Sequence, residues 1–190
     1  KLFLVFLNFC YGGISIMSEL RTNRIVPRDG LPSGSSGGII QVKSTTITDK
    51  VTITTTDSFV DITGLSVSIT PTRSDSKILI FYDTQMSGTE IMFVRLMRDS
   101  TAIKIGDDGG GSRIQATQGG ISQPSNQDKV IGFGGTFLDS PATTSATTYK
   151  LQARIYGGSN SFNVNAPKND SDNSYTARGA STITVMEVSG

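Results

Sequence analysis

The feature that most constrains this chain is a two-residue period. Leu65, Val67 and Ile69 alternate with Ser66, Ser68 and Thr70. Tyr149, Leu151, Ala153 and Ile155 alternate with Lys150, Gln152 and Arg154, and Val51 and Ile53 with Thr52 and Thr54. Successive side chains of a strand point to opposite faces, so each stretch predicts a strand with one dry and one wet face. Two runs, Ile78–Tyr82 (ILIFY) and Ile91–Met97 (IMFVRLM), are apolar on both sides. They suit strands held between layers or facing another subunit. Ser181–Val188 reads as a last strand that ties down the end of the sequence. Turn signals fall between the runs at Ser74-Asp75, Ser87-Gly88, Gly106–Gly111, Pro124-Ser125-Asn126, Ser140-Pro141, Gly157-Gly158 and Asn169–Asn173. No long stretch has a helical period; Ser18–Val26, with Ser18 as cap, is the one short candidate. The pattern predicts an all-β chain, an antiparallel β-sandwich of the jelly-roll kind.

Composition narrows the function. Histidine is absent, which removes Ser-His-Asp and Cys-His catalysis, the HExxH metal site and the usual zinc sets. No GxSxG elbow occurs. Asp139 and Glu187 can be imagined as a carboxylate pair, but nothing in the sequence brings them together. No enzymatic activity is expected. The single cysteine, Cys10, rules out an intrachain disulfide. A net charge of +1 provides no field to gather nucleic acid or a membrane surface. The 190 residues suffice for one domain with a real core plus an arm.

Three parts follow one another. Residues 1–16 are apolar, residues 17–38 form a polar, basic arm ending in a Gly/Ser hinge, and residues 39–190 form the β domain. Three readings of residues 1–16 stand side by side. Lys1 followed by Leu2–Phe9 has the start of a secretory signal but no A-x-A-like cleavage site, and the run is too short to span a bilayer. Gly12-Gly13 is encoded GGN-GGN, which can read as a ribosome-binding sequence at a suitable distance before Met17, so the segment can be upstream sequence read in frame. The third reading is an apolar strand that adds to a neighbour's sheet.

Candidate recognition residues fall in the arm and in two loops. Arg21, Arg24, Ile25 and Arg28 lie in the arm, whose Glu19 and Asp29 dilute the charge. This suits docking to a protein partner, ordered on binding. Gly106–Arg113 (GDDGGGSR) carries Asp107, Asp108 and Arg113, and Asn169–Asn173 (NDSDN) carries Asp170 and Asp172. Both lack the spacing of a P-loop or an EF-hand. They read first as solvated turns placed where recognition surfaces form. No cofactor is expected; calcium is the one ion such acidic loops suggest.

Several stretches resemble a known group: MSELRTNRIVPRDGLPSG, GGIIQV, SFVDITGLSVSITPTRSDSKILI, GDDGGGSR, FLDSPATTSATTYKLQARI and YTARGASTITVMEV. They resemble small virion structural, tail-fibre-like proteins of marine tailed bacteriophages, notably those infecting cyanobacteria. The resemblance covers residues 17–190 and begins at Met17. It implies a short N-terminal attachment region, a β-sandwich head like the C1q and TNF group, a homotrimer, and no catalytic residue. The expectation is a non-enzymatic virion protein. Residues 17–38 would anchor it to other virion proteins, and residues 39–190 would be displayed toward a host-surface glycan or protein, with avidity multiplying weak contacts. The rival expectations are a capsid decoration or cement protein, a carbohydrate-active fibre enzyme, and a polymerising subunit that uses residues 1–16.

Overall fold

The computed structural model describes residues 38–121, 127–157 and 159–189. The chain divides into two units, Lys1–Ser35 and Ser36–Gly190. The expectations for residues 1–37, including Arg21, Arg24, Ile25, Arg28 and the helix at Ser18–Val26, and the turn at Pro124-Ser125-Asn126, lie outside the described residues.

Among the described residues the second unit is all-β, with eleven strands in two antiparallel sheets. These are β1 (Ile39–Ile47), β2 (Val51–Thr56), β3 (Val60–Ile69), β4 (Lys77–Gly88), β5 (Met92–Arg98), β6 (Thr101–Ile103), β7 (Gln118–Ile121), β8 (Ile131–Asp139), β9 (Thr147–Ile155), β10 (Ser159–Val164) and β11 (Ser181–Val188). Sheet A is built on β4. Its 12 residues pair with β8 along one edge and with β11 and then β10 along the other. β1 extends the sheet beyond β11, and β2 beyond β10. Sheet B runs β3-β9-β5, with β6 and β7 sharing the far edge of β5. The chain crosses between sheets again and again, as the alternating connections of a jelly-roll sandwich require.

The dry faces meet in one core. Ile78, Ile80, Tyr82 and Met86 of β4 pack with Met92, Val94 and Leu96 of β5 and with Tyr149, Leu151 and Ile155 of β9, all buried. Each such side chain contributes roughly 1.5–3 kcal/mol on burial. The alternating stretches behave as expected: Leu65, Val67 and Ile69 point inward, as do the four apolar residues of β9.

One expectation is corrected. Ser87-Gly88 is not a turn; β4 runs through it. Gly88 is buried, and a Cβ there would lie 2.7 Å from Ile155 Cδ1 and 3.2 Å from both Met92 Sδ and Phe162 Cβ, so this glycine serves close packing. Ile91–Met97 forms the strand expected, β5, with its outer apolar side partly covered by the chain itself. Phe93, on its outer side, lies against Gly119 of β7 and is partly covered by the chain's own loop. β8 and β10 are strands that the sequence reading did not mark, because glycine and asparagine interrupt their apolar period. β8 is interrupted by Gly132, Gly134 and Gly135, and a Cβ at Gly135 would sit 2.9 Å from both Tyr82 Oη and Lys104 Nζ. β10 runs into buried Asn163 and Asn165. Asn163 Nδ2 donates to Pro167 O (2.6 Å), and Asn165 Nδ2 to Ile47 O (2.8 Å). They satisfy buried carbonyls that would otherwise lack donors.

Candidate functional site

The outer face of sheet A is apolar at one end. Across four adjacent strands the register places Val42, Met186, Leu79 and Leu138 in a single row. Ile39 pairs with Val188 beside it, and Phe81 stands in the next row, between Thr184 and Thr136. Val42 and Leu138 are each 49% exposed, Phe81 40% and Ile39 60%. Toward the far end the rows turn polar, with Ser44 and Thr184, then Thr46, Thr182 and Asp83. A shallow hollow of about 340 Å³ opens there, lined by Phe81, Asp83, Thr136, Thr182 and Thr184. The sequence signal was the two-sided run Ile78–Tyr82. Its odd members are the outward Leu79 and Phe81, and its even members fill the core.

The carboxylates imagined as a pair, Asp139 and Glu187, sit in one row of sheet A. Each is the register partner of Ile78, from opposite sides of β4. Two strand spacings put their backbones about 10 Å apart. The fully buried Ile78 stands between them, and neither faces a cleft. Glu187 Oε2 accepts from Gln41 Nε2 (2.6 Å), and Oε1 accepts from the Thr72 amide and hydroxyl (both 2.7 Å). Its carboxylate is covered yet shallow. Burial pushes its pKa up, but the bonds from Gln41 and Thr72 outweigh this and hold it at about 2. Asp139 accepts from Arg98 Nη1 (2.9 and 3.0 Å) and from Tyr149 Oη (2.7 Å). Burial, then the bond to Asp139, raises the Tyr149 phenol well above its ordinary range, so it stays a donor. The first carboxylate ties β1 and the β3–β4 turn to β11. The second ties β8 to sheet B.

The loop residues lie elsewhere. In Gly106–Arg113, Asp108 Oδ1 accepts from the Gly110 amide (3.0 Å), and Arg113 Nη1 donates to Gly109 O (2.7 Å) and Gly110 O (3.2 Å). Asp107 is exposed. The loop borders a hollow of about 400 Å³ on the outer side of sheet B, lined by Phe59, Arg95, Asp108, Arg113, Gln115 and Arg154 among others. The two arginines from β5 and β9 carry no sequence signal of their own; only the pairing of those strands brings them together. In the second loop, Asp170 accepts from Lys50 (2.9 Å) and Arg178 (2.8 Å), while Asp172 is exposed. Among the described residues no three acidic groups converge as calcium requires. Asp170 is already neutralised by two cations, and Asp108 is engaged in capping its own turn.

No helix among the described residues is long and apolar enough to cross a membrane. No protein-family model matches the sequence, and no curated protein matches it. Among solved structures the chain is similar to infectious bursal disease virus of the Gx strain, at 16% identity and a TM-score of 0.36, over 90% of this chain and 45% of that chain. It is similar to the Gt strain of the same virus at 14% identity and a TM-score of 0.38, over 90% and 43%. The VP2 subviral particle of that virus is matched at 14% identity and a TM-score of 0.32, over 79% and 40%. The chain thus spans less than half the length of each of these chains.

Proposed function

We propose that this chain is a non-enzymatic structural protein of a virus particle, a fibre-head type subunit that self-associates as a trimer. Residues 17–38 anchor it to other proteins of the particle, and the sandwich is displayed. The resemblance of residues 17–190 to marine bacteriophage virion proteins supports the setting. The observation that carries the reading is the apolar row Val42, Met186, Leu79 and Leu138 on the outside of a sandwich whose interior is already filled. With Ile39 and Phe81 it leaves on the order of 500 Å² of apolar surface open, within the ~300–600 Å² of the largest patch on a typical monomer, a patch that is often functional. Three copies arranged about a three-fold axis, each bringing this row toward the axis, would cover the face by closed symmetric association. The two buried carboxylates have their oxygens engaged by structural donors, which supports a role without catalysis.

Light scattering on the chromatographed protein tests this. The expected wild-type species is a trimer, and Leu138→Glu with Val42→Lys shifts it toward monomer by roughly 100-fold or more in dissociation constant, with the strand circular dichroism unchanged. A wild-type monomer at about 100 μM, or a double variant that associates as before, overturns the reading. A flat four-strand face also suits a decoration protein lying on a capsid lattice. Copy number per particle, from quantitative mass spectrometry, separates that role from a fibre.

A further inference from the structure

We propose that the hollow on the outer side of sheet B binds an acidic saccharide, with Arg95, Arg113 and Arg154 holding its oxyanion group. Of the six arginines among the described residues, four hold a carboxylate: Arg73 with Asp75, Arg98 with Asp139, Arg154 with Asp57 and Arg178 with Asp170. The two that hold none, Arg95 and Arg113, line the same hollow, and Arg154 completes it.

Arg95 is fixed without being neutralised. Its guanidinium carbon lies 3.9 Å from the centroid of the Phe59 ring, and Nη2 donates to Gln115 O at 2.7 Å. Both contacts hold the fork in place and leave its charge uncompensated. The Nε atoms of Arg95 and Arg154 are buried and have no hydrogen-bond partner. Unmade bonds on buried donors are costly, and their presence marks a place where an acceptor belongs. Burial, and then the like charge of Arg154, lower the pKa of Arg95, as expected where two cations are packed together with too little counter-charge. A polyoxygen anion supplies what is missing, since guanidinium forks match carboxylate, sulfate and phosphate.

The rest of the hollow narrows the ligand. Asp108, Gly111, Ser112 and Gln115 also line it, groups that meet hydroxyls. Its volume, about 400 Å³, lies within the ~300–1,000 Å³ of small-molecule sites. Cations for one acid group beside acceptors and donors for hydroxyls is the chemistry of an acidic sugar. A single hollow with one stretch of glycines is not the basic stripe that a nucleic acid needs.

The proposal names the ligand of the displayed head and rests on that reading, but the two are separable by experiment. Calorimetry on the full chain at low salt would use tetragalacturonate as the carboxylate probe, a sulfated tetrasaccharide as the sulfate probe and maltotetraose as the neutral control. At least one acidic probe is expected to bind, at least tenfold more weakly to Arg113→Gln, and the neutral sugar not at all. Arg113 touches only carbonyls of its own loop, so this variant keeps the fold; Arg95→Gln is the second variant, and Arg73→Gln, in the β3–β4 turn, binds as wild type. Which acidic probe binds decides between carboxylated and sulfated sources. Failure of both acidic probes, equal binding of maltotetraose, or affinity unchanged in both Arg113→Gln and Arg95→Gln overturns the site. A trimer that binds no acidic sugar sinks the site alone; a monomer that binds one sinks the trimer and leaves the site standing.

Discussion

Glu187→Gln is the sharpest test of how this sandwich is held at its edge. Gln41 Nε2 donates to both Glu187 Oε2 (2.6 Å) and Thr70 O (2.7 Å). If the new amide keeps its oxygen toward Thr72, its NH₂ faces the Gln41 NH₂, donor against donor. If Gln41 flips to accept from it, the Gln41 oxygen then faces Thr70 O, acceptor against acceptor. One hydrogen bond is lost either way, and the two from Thr72 drop from charge-assisted to neutral strength. At about 1 kcal/mol for each of these three changes, the variant loses roughly 2–3 kcal/mol. For a chain of this size that is a melting temperature lower by about 5–10 °C. The sign of the pH dependence is fixed by the same geometry. Glu187 titrates at about 2 in the folded protein, against 4.5 for the ordinary group. Its contribution is therefore fully present above the ordinary value and fades as pH falls toward 2. Melting of both proteins at pH 7, 5, 4 and 2.5, at one protein concentration, should show a gap that is constant down to about pH 5 and then closes. A gap under 1 °C at pH 7, or one that persists undiminished at pH 2.5, would refute the reasoning.

Tyr149→Phe removes one donor to Asp139 and leaves both Arg98 contacts. Thermal melting should fall by roughly 1–2 kcal/mol, about 3–6 °C, with no change in oligomeric state. Gly88→Ala puts a methyl among Ile155, Met92 and Phe162, where no side is open. Chemical unfolding should register a loss of about 1–3 kcal/mol, whereas a turn glycine at an exposed bend would have shown a far smaller one.

The fold was legible where burial on one face and solvent on the other imposed the two-residue period, as in β3, β9 and β11. It was illegible where close packing or a buried hydrogen bond puts glycine or asparagine inside a strand or at its end. β8 takes glycines because Tyr82 and Lys104 lie directly over it, and β10 takes asparagines because buried carbonyls need donors. Glycine and asparagine are depleted in strands in general, so a reading by propensity passes over both. Gly88 was misread for the same reason: its close contacts are with residues 67 and 74 positions away, as well as one only four away. The site was legible in part. The Gly106–Arg113 loop stands out in sequence, but Arg95 and Arg154 look like the wet-face residues of two separate strands until β5 and β9 pair. Asp139 and Glu187 invite a catalytic reading from residue type alone. Only their hydrogen bonds reveal them as fasteners.

The two faces of the sandwich differ in kind, and this follows from how the interior is filled. The core between the sheets has room for one layer of apolar side chains from each, and β4 and β5 supply it with alternate residues of runs that carry apolar residues on both faces. On β5 the surplus apolar residues, Phe93 and Met97, are covered by the chain itself, and Arg95 stands between them. On β4 the surplus residues, Leu79 and Phe81, have no such cover among the described residues, and the register aligns them with outward apolar residues of β1, β11 and β8. They form a row across four strands drawn from distant parts of the sequence, one contiguous patch rather than single scattered residues. Sheet A therefore presents a contiguous apolar patch, the face we propose is covered by association. Sheet B presents Arg95 beside Arg113, neither of which holds a carboxylate among the described residues. A subunit that buries the first against its copies turns the second outward in several copies at once, the arrangement in which weak single contacts become firm attachment.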